Sequence, residues 1–512
     1  MWQITKPVIF ILLLSIFISY SECKEKLRVG MITVSSHGHV SPLRPLIAEL
    51  QSRSHEVYFF SFEEARKKVP TVDKYFSLSN KTMEMISDAV LEGRDFATLP
   101  EIPVLFGTVE AELLPRLVES FKELEASNQK PDVLIVDFLT TAGMDIGEHL
   151  NIPVIISYPG IFRPSFNAPT WTPHLFSPYS ENEMASPIAR LYNCLISVFE
   201  KYIGWQLMTV STENRAKHGM PENTSLRKAL YNNKIILVHS FPPLNPPSTA
   251  LLGSEYYIGS PQYPLNALDP ELLAWIEAAD SPIVFVSMGT VTRQKKELLD
   301  QMIDAFTSLT NYRFIWSIRD SVKQRTDRFN IISQYPHIRL ASWVDQNSLL
   351  RQEKLKVFFT HGGFNSVVES IQAAKPMVCM PFLVDQPRNC KRVASLSVGE
   401  MIKNEEFTPA LFKQALEKAL SHSERVKELS AYSNLFSENG INTAANLIEV
   451  VAVHGDASLL PIEAEFPWYV RGDLDLFAIY TLFVVLTTFF SSYLCCFRRR
   501  KVTPQNKTIK KD

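Results

Sequence analysis

Residues 356–389 read KVFFTHGGFNSVVESIQAAKPMVCMPFLVDQPRN, and this stretch decides the fold. Val357-Phe358-Phe359-Thr360 has the length and composition of a strand buried on both faces of a parallel sheet. His361-Gly362-Gly363 ends the run. Phe364 to Ala374 then follows a helical period, with Val367, Val368 and Ile371 on one face. A strand, a Gly-Gly turn and a helix start together make a place for an anion. Glycine lets backbone come close, and the first N–H groups of a helix point outward with no partner of their own. Asn365 and Ser366 add side-chain donors at the same end. A second apolar run, Met377 to Pro381, leads to Asp385-Gln386, polar side chains at the strand edge where open α/β sheets hold ligands. The stretch predicts a site for a phosphate-bearing ligand that also carries hydroxyl groups. Strand–Gly–helix turns often serve as plain connections, and Gly-Gly alone says little. The His, the Asn-Ser pair, the helical Glu369 and the later Asp-Gln raise this one above a connection.

At these residues the chain resembles the UDP-glycosyltransferase family, in particular its membrane-bound animal members, the UDP-glucuronosyltransferases among them. The residues that carry the resemblance are Trp343, Gln346, Thr360-His361-Gly362-Gly363, Asn365-Ser366, Glu369 and Asp385-Gln386. The resemblance implies a GT-B fold, two Rossmann-like halves facing across a cleft, and transfer of a sugar from a UDP-sugar with inversion. One position departs from the pattern. The family usually has Pro before the Gln that follows Trp, and here Asp345 stands there.

A chain of 512 residues can bury a large core and predicts two globular domains. A formal net charge of −2 lacks the basic footprint of a nucleic-acid binder. Six cysteines, unevenly spaced, do not form a disulfide framework. Cys379 sits inside an apolar strand and reads as a small core residue. No Cys/His pairs show metal-ligand spacing, so no metal and no permanently bound cofactor is expected. The only D-x-D, Asp473-Leu474-Asp475, abuts an apolar stretch and reads as its polar flank.

That stretch, 476–497, is uncharged, long enough to cross a bilayer, and followed at once by Arg498-Arg499-Arg500-Lys501. A basic flank faces the cytosol, so the tail 498–512 is expected there and the body on the lumenal side. Residues 1–23 have a lysine, a short apolar core and small residues, the pattern of a cleaved secretory signal. Together these predict a single-pass type I protein. Sequons at Asn80 and Asn223 suit a lumenal body. The tail ends Lys510-Lys511-Asp512, one place out of register for a dilysine signal, so residence in the endoplasmic reticulum membrane follows from the resemblance.

Between these ends the pattern alternates. Val29–Val34 is a strand, Ser35-Ser36-His37-Gly38-His39 a turn, and Pro42 opens a helix to about Arg53, where proline suits the first turn. Val57–Phe60, Val133–Asp137, Ile152–Ser157 and Ile235–Val238 are further strands, and 181–210 is helical. That helix reads as core; the resemblance implies instead an acceptor pocket or contact with a membrane surface. No G-x-G-x-x-G follows the first strand, which excludes a dinucleotide-binding oxidoreductase of that type. The expected organisation is an acceptor-binding domain over 24–240, a proline-rich linker over 241–264, a UDP-sugar-binding domain over 265–440, and a helical segment over 441–475 leading to the membrane. Strands in the second domain are expected at Ile283–Ser287, Tyr312–Trp316, Ile338–Ala341, Val357–Thr360 and Met377–Met380.

Sugar transfer needs a base for the acceptor hydroxyl and stabilisation of the leaving diphosphate. His39 and His37 both follow the first strand, and imidazole suits base work near neutral pH. Counting back from His55-Glu56-Val57, shared with the family, places the base at His39. Asp137, ending a neighbouring strand, could orient its ring. The resemblance implies that Trp343 stacks on uracil and Glu369 accepts the ribose hydroxyls. It gives the diphosphate to His361, Gly363, Asn365 and Ser366, with Ser287 and Thr290 reaching it from a second loop. Gln346 belongs to the same donor set, and Asp385 and Gln386 read the sugar hydroxyls. Glucose and glucuronic acid both fit, and no motif supplies a basic partner for a sugar carboxylate. The acceptor is expected to be a small lipophile. Self-association into a homo-oligomer is compatible with the sequence.

Overall fold

The computed structural model describes residues 26–91, 101–160, 171–174, 177, 179, 182–220, 234–245, 255–259, 265–289, 294–382, 385–455, 459–460 and 474–500. The expected signal, Thr290, the sequon at Asn223 and the tail beyond Arg500 lie outside them. The chain divides into two units, Met1–Leu460 and Pro461–Asp512.

The first unit holds two wholly parallel sheets. Strands β1 (Arg28–Ile32), β2 (Glu56–Phe62), β3 (Lys74–Ser79), β4 (Val133–Asp137), β5 (Val154–Tyr158), β6 (Ile235–Val238) and β7 (Glu255–Tyr257) lie in the order β3-β2-β1-β4-β5-β6-β7. Strands β8 (Ile283–Ser287), β9 (Arg313–Ser317), β10 (Ile338–Ala341), β11 (Leu355–Thr360), β12 (Met377–Cys379) and β13 (Gly399–Met401) lie in the order β10-β9-β8-β11-β12-β13. Central strands have apolar residues on both faces, as helices on both sides of a parallel sheet demand; every residue of β4 is buried. Each sheet reverses its order once, between β1 and β4 and between β8 and β11. At such a reversal the connections diverge, and a crevice opens at the strands' carboxyl ends.

The helices that matter for function are α1 (Arg44–Ser52), α2 (Glu101–Ala126), α3 (Thr141–His149), α4 (Pro187–Ala216), α5 (Gln346–Leu350), α6 (Phe364–Gln372), α7 (Gln386–Ser395) and α8 (Ser423–His454). Behind the first sheet, a buried knot of Glu110, Asp145 and Arg215 ties α2, α3 and α4 together. Arg215 Nη1 lies 2.9 Å from Asp145 Oδ1. Burial holds both carboxyls above their ordinary range, and their mutual repulsion adds to it at Asp145.

Three differences from the sequence expectations are physical. The expected linker over 241–264 is partly sheet, because β7 pairs with β6. Edge strands β3 and β13 carry no signal: β13 is three residues, and β3 mixes polar and apolar positions along a half-buried edge. The segment from 441 does not leave the globular unit at once. Helix α8 crosses back to the first half, where Ala444, Ala445, Ile448 and Val451 are buried with Val29, Leu46 and Ile135. Arg53 and His55 both reach Glu449 on that helix, at 3.1 and 3.0 Å.

In the second unit, α9 (Leu474–Arg500) holds an apolar window, Phe477–Leu494, of mean hydropathy 1.7. Its 27 residues extend for about 40 Å at 1.5 Å per residue, enough to span a hydrocarbon core.

Candidate active site

The two reversals place the predicted chemistry. Asp137 is the last residue of β4, and His39 lies in the single helical turn His37–Val40 that follows β1. His39 Nδ1 comes within 2.8 Å of Asp137 Oδ2. This is an ion-pair distance, although the ring N–H is not aligned on the oxygen as in an ideal hydrogen bond. Asp137 is held from behind. Thr33 Oγ1 donates to the same oxygen at 3.0 Å, and the Leu139 N–H approaches Oδ1 at 3.4 Å. Burial disfavours the charged imidazole of His39, but the Asp137 charge and contact, with Asp385 adding, outweigh it and leave its pKa raised. His37 also lines the cavity, on a different set of partners. Its ring meets Ser41 Oγ at 3.2 Å and stands edge-on to Trp343 at 6.3 Å, and burial lowers its pKa.

Next along the same sheet edge, Ser157 Oγ and His239 Nε2 are 2.8 Å apart and both buried. Burial pushes His239 down to about 4, so it is neutral beside the His39–Asp137 pair. No sequence pattern marked His239; only the residue following β6 could have suggested it.

At the second reversal, β11 ends in Thr360 beside Ser287 of β8. Gly362 has φ +78°, and a Cβ there would strike Cys390 Sγ, so glycine is required twice over. Gly289, at φ +73°, would put a Cβ 2.6 Å from the His361 ring. The imidazole is clamped among glycines and burial pushes it down to about 4; it is a neutral donor or acceptor. Asn365 Nδ2 is buried with no partner among the described residues, at the start of α6. Glu369, also buried, accepts from Gln346 Nε2 at 2.6 Å, and burial pushes it up to about 7. Trp343 is 68% exposed, a flat aromatic surface at the cleft mouth. Asp345 settles the one departure from the family pattern. It takes φ −66°, the value proline would impose, and caps α5 by accepting from the Ser348 N–H at 2.8 Å.

Asp385 is half-buried, accepts from Asn389 Nδ2 at 2.7 Å, and is held above its ordinary range by desolvation. Gln386 Oε1 accepts the Phe382 N–H at 2.9 Å.

These walls enclose a cavity of about 420 Å³. His39, Ser287, Trp343, Gln346, His361, Gly363, Asn365, Ser366, Glu369 and Asp385 line it; Asp137 stands behind His39, and Gln386 is not part of the lining. Two cations that the sequence reading missed, Arg44 and Arg319, also border it. One follows His39 on α1 and the other follows β9, and neither belongs to a motif. One wall thus offers a buried and a half-buried carboxyl, neutral donors and a helix start, suited to hydroxyls and phosphate. The other offers an imidazole backed by a carboxylate, suited to taking a proton.

The family model described as UDP-glucoronosyl and UDP-glucosyl transferase matches residues 45–509. Mouse (Mus musculus) UDP-glucuronosyltransferase 3A2 is 27% identical over 237 residues, which is 45% of this chain and 44% of that protein. Human (Homo sapiens) UDP-glucuronosyltransferase 3A1 is 24% identical over 492 residues, 91% of this chain and 88% of that protein. The solved structure of the kitacinnamycin glycotransferase superposes with a TM-score of 0.60 at 20% identity, covering 85% of this chain and 100% of that one. The architecture is GT-B.

Proposed function

The chain belongs to the UDP-glucoronosyl and UDP-glucosyl transferase family, and on that premise we propose that it is an inverting transferase moving a hexosyl or glucuronosyl group from a UDP-sugar to a hydroxyl of a small lipophilic acceptor. His39 is the general base. With Nδ1 against Asp137, its Nε2 takes the acceptor proton as the acceptor oxygen bonds to the anomeric carbon. The bond from that carbon to the β-phosphate oxygen breaks, and UDP leaves from the opposite face. Asp137 stabilises the imidazolium so formed. The charge on departing UDP falls on the start of α6 and on the neutral donors His361, Asn365, Ser366 and Ser287. This route asks for no metal.

Trp343 carries the uracil and Glu369 the ribose hydroxyls, while Asp385 reads the sugar hydroxyls. Gln386, whose Oε1 accepts the Phe382 N–H, stands next to it in the chain. Arg44 and Arg319 supply the positive charge that a hexuronic acid donor needs. The single observation carrying this reading is that His39, backed by Asp137, and the phosphate-type turn, from different sheets, border one cavity.

The protein is a single-pass protein of the endoplasmic reticulum membrane with its catalytic unit lumenal. The apolar helix α9 supports the anchor. Helix α4 supports membrane contact: Ile188, Leu191, Leu195, Val198, Tyr202 and Trp205 are exposed on one face, while Asn193 and Glu200 on the other are buried. Incubation with UDP-glucose, UDP-glucuronic acid and UDP-galactose and a panel of lipophilic phenols tests the proposal. Acceptor-dependent release of UDP with one donor is expected. UDP binding without transfer to any acceptor would make the chain a silent nucleotide-binding relative.

A further inference from the structure

The cavity is built from two sheets, so its chemistry depends on what fixes one half against the other. Asp385 immediately precedes α7, and Arg388 lies on the first turn of that helix. Arg388 is only 5% exposed, and its Nη1 donates to the backbone carbonyl of His174 at 2.8 Å. His174 belongs to the acceptor half and is itself tied down by α4. Its N–H donates to Asn193 Oδ1 at 2.9 Å, and its ring Nδ1 lies 2.8 Å from Glu200 Oε2. Asn193 Nδ2 also donates to the Thr172 carbonyl at 2.8 Å. One turn further along α7, Arg392 donates to the carbonyls of Leu244 and Pro243 at 3.1 and 2.6 Å. The helix that presents Asp385 is therefore bonded to other segments at two successive turns.

Burying a guanidinium is costly, and the bond from its planar fork to a backbone carbonyl fixes direction as well as distance. The Asp385 carboxyl is close enough to His39 for each to influence the other's ionisation across the cleft. We propose that Arg388 is a positioning residue: by joining the sugar-facing end of α7 to the Asn193-held loop at His174, it sets the spacing between the donor sugar and His39. This rests on the transferase reading above. Arg388 touches neither substrate, and it acts through Asp385 and the acceptor-side loop. The reacting atoms of a transfer must meet within about 3–3.5 Å, and misplacement by about 1 Å costs on the order of a hundredfold in rate.

The test is a double-variant cycle read by kcat, donor KM and the UDP dissociation constant. Arg388→Ala is expected to lower kcat about 30-fold with UDP affinity nearly unchanged, and Arg388→Lys, which keeps one donor, to recover most of the loss. Asn193→Ala, which frees the same loop without touching the donor half, should lower kcat to a similar extent. The double variant should be no slower than the slower single, since both remove one joint. Normal turnover in Arg388→Ala, a parallel fall in UDP affinity, or losses that multiply in the double variant would each overturn the assignment. If Arg388→Ala does not fold, Arg388→Lys and Asn193→Ala still decide it: both at wild-type kcat sinks the idea. A wild-type protein that binds UDP but transfers nothing overturns the transferase reading instead.

Discussion

The two sheet reversals do opposite work with the same geometry. At β8/β11 the crevice is finished by glycine, neutral imidazole, amide and hydroxyl donors, together with carboxyls that burial holds above their ordinary range. At β1/β4 it is finished by a histidine and a carboxylate in contact, whose mutual attraction raises the imidazole's pKa. The first arrangement suits a ligand that brings its own negative charge and hydroxyls. The second suits a proton that must move. On the proposed reading binding and chemistry are segregated by half, and the difference predicts that variants in the two halves fail differently.

The largest expected effect comes from removing the proposed base. His39→Ala should lower turnover by about a thousandfold, within the usual range for general-base catalysis, while UDP binding measured by calorimetry changes little. Near-normal turnover would erase the contrast between the halves. Asp137→Asn sharpens it, with a loss of about a hundredfold and a change in pH profile. Because Asp137 raises the His39 pKa, the wild-type acid limb of kcat/KM should lie above the ordinary histidine value. Removing the charge should move that limb to lower pH; an unmoved limb would detach Asp137 from His39.

On the donor side, Glu369→Ala should weaken UDP about 30-fold, the sum of two charge-assisted hydrogen bonds to ribose less solvation, with acceptor KM little changed. Burial pushes the Glu369 carboxyl up to about 7, so wild-type UDP affinity should fall as pH drops from 8 to 6. Glu369→Gln should flatten that dependence, and a flat wild-type curve would place the ribose elsewhere. The smallest effect expected is none: exhaustive EDTA treatment should leave activity in place. A loss restored by manganese would assign part of the phosphate's charge to a metal.

The contrast also explains what the sequence reveals. The donor wall is legible because its residues are nearly contiguous; from β11 through the start of α7, each side chain follows from its place on a strand, turn or helix. The acceptor wall is dispersed. His39 could be chosen over His37 only by family register, and no local pattern reports that Asp137 rather than another strand-end acid reaches it. Arg44, Arg319 and His239 escaped notice because each sits at a strand or helix end with no repeating neighbour. Gln386 sits beside Asp385 in the motif, yet it does not line the cavity, and its Oε1 accepts the Phe382 N–H. The central strands were readable because burial on both faces makes them continuously apolar. Edge strands β3, β7 and β13 were not, because a half-exposed or three-residue strand has no such run.

Helix α8 has a consequence for recombination. A chimera that exchanged residues 24–240 between two such proteins, on the assumption that the halves are separate modules, would pair one parent's β1 and α1 with another's Ala444, Ile448 and Val451. Each large side chain missing from that seam costs about 2–5 kcal/mol. The natural crossover unit is the first half together with 441–454, two segments from opposite ends of the globular body that must be inherited together.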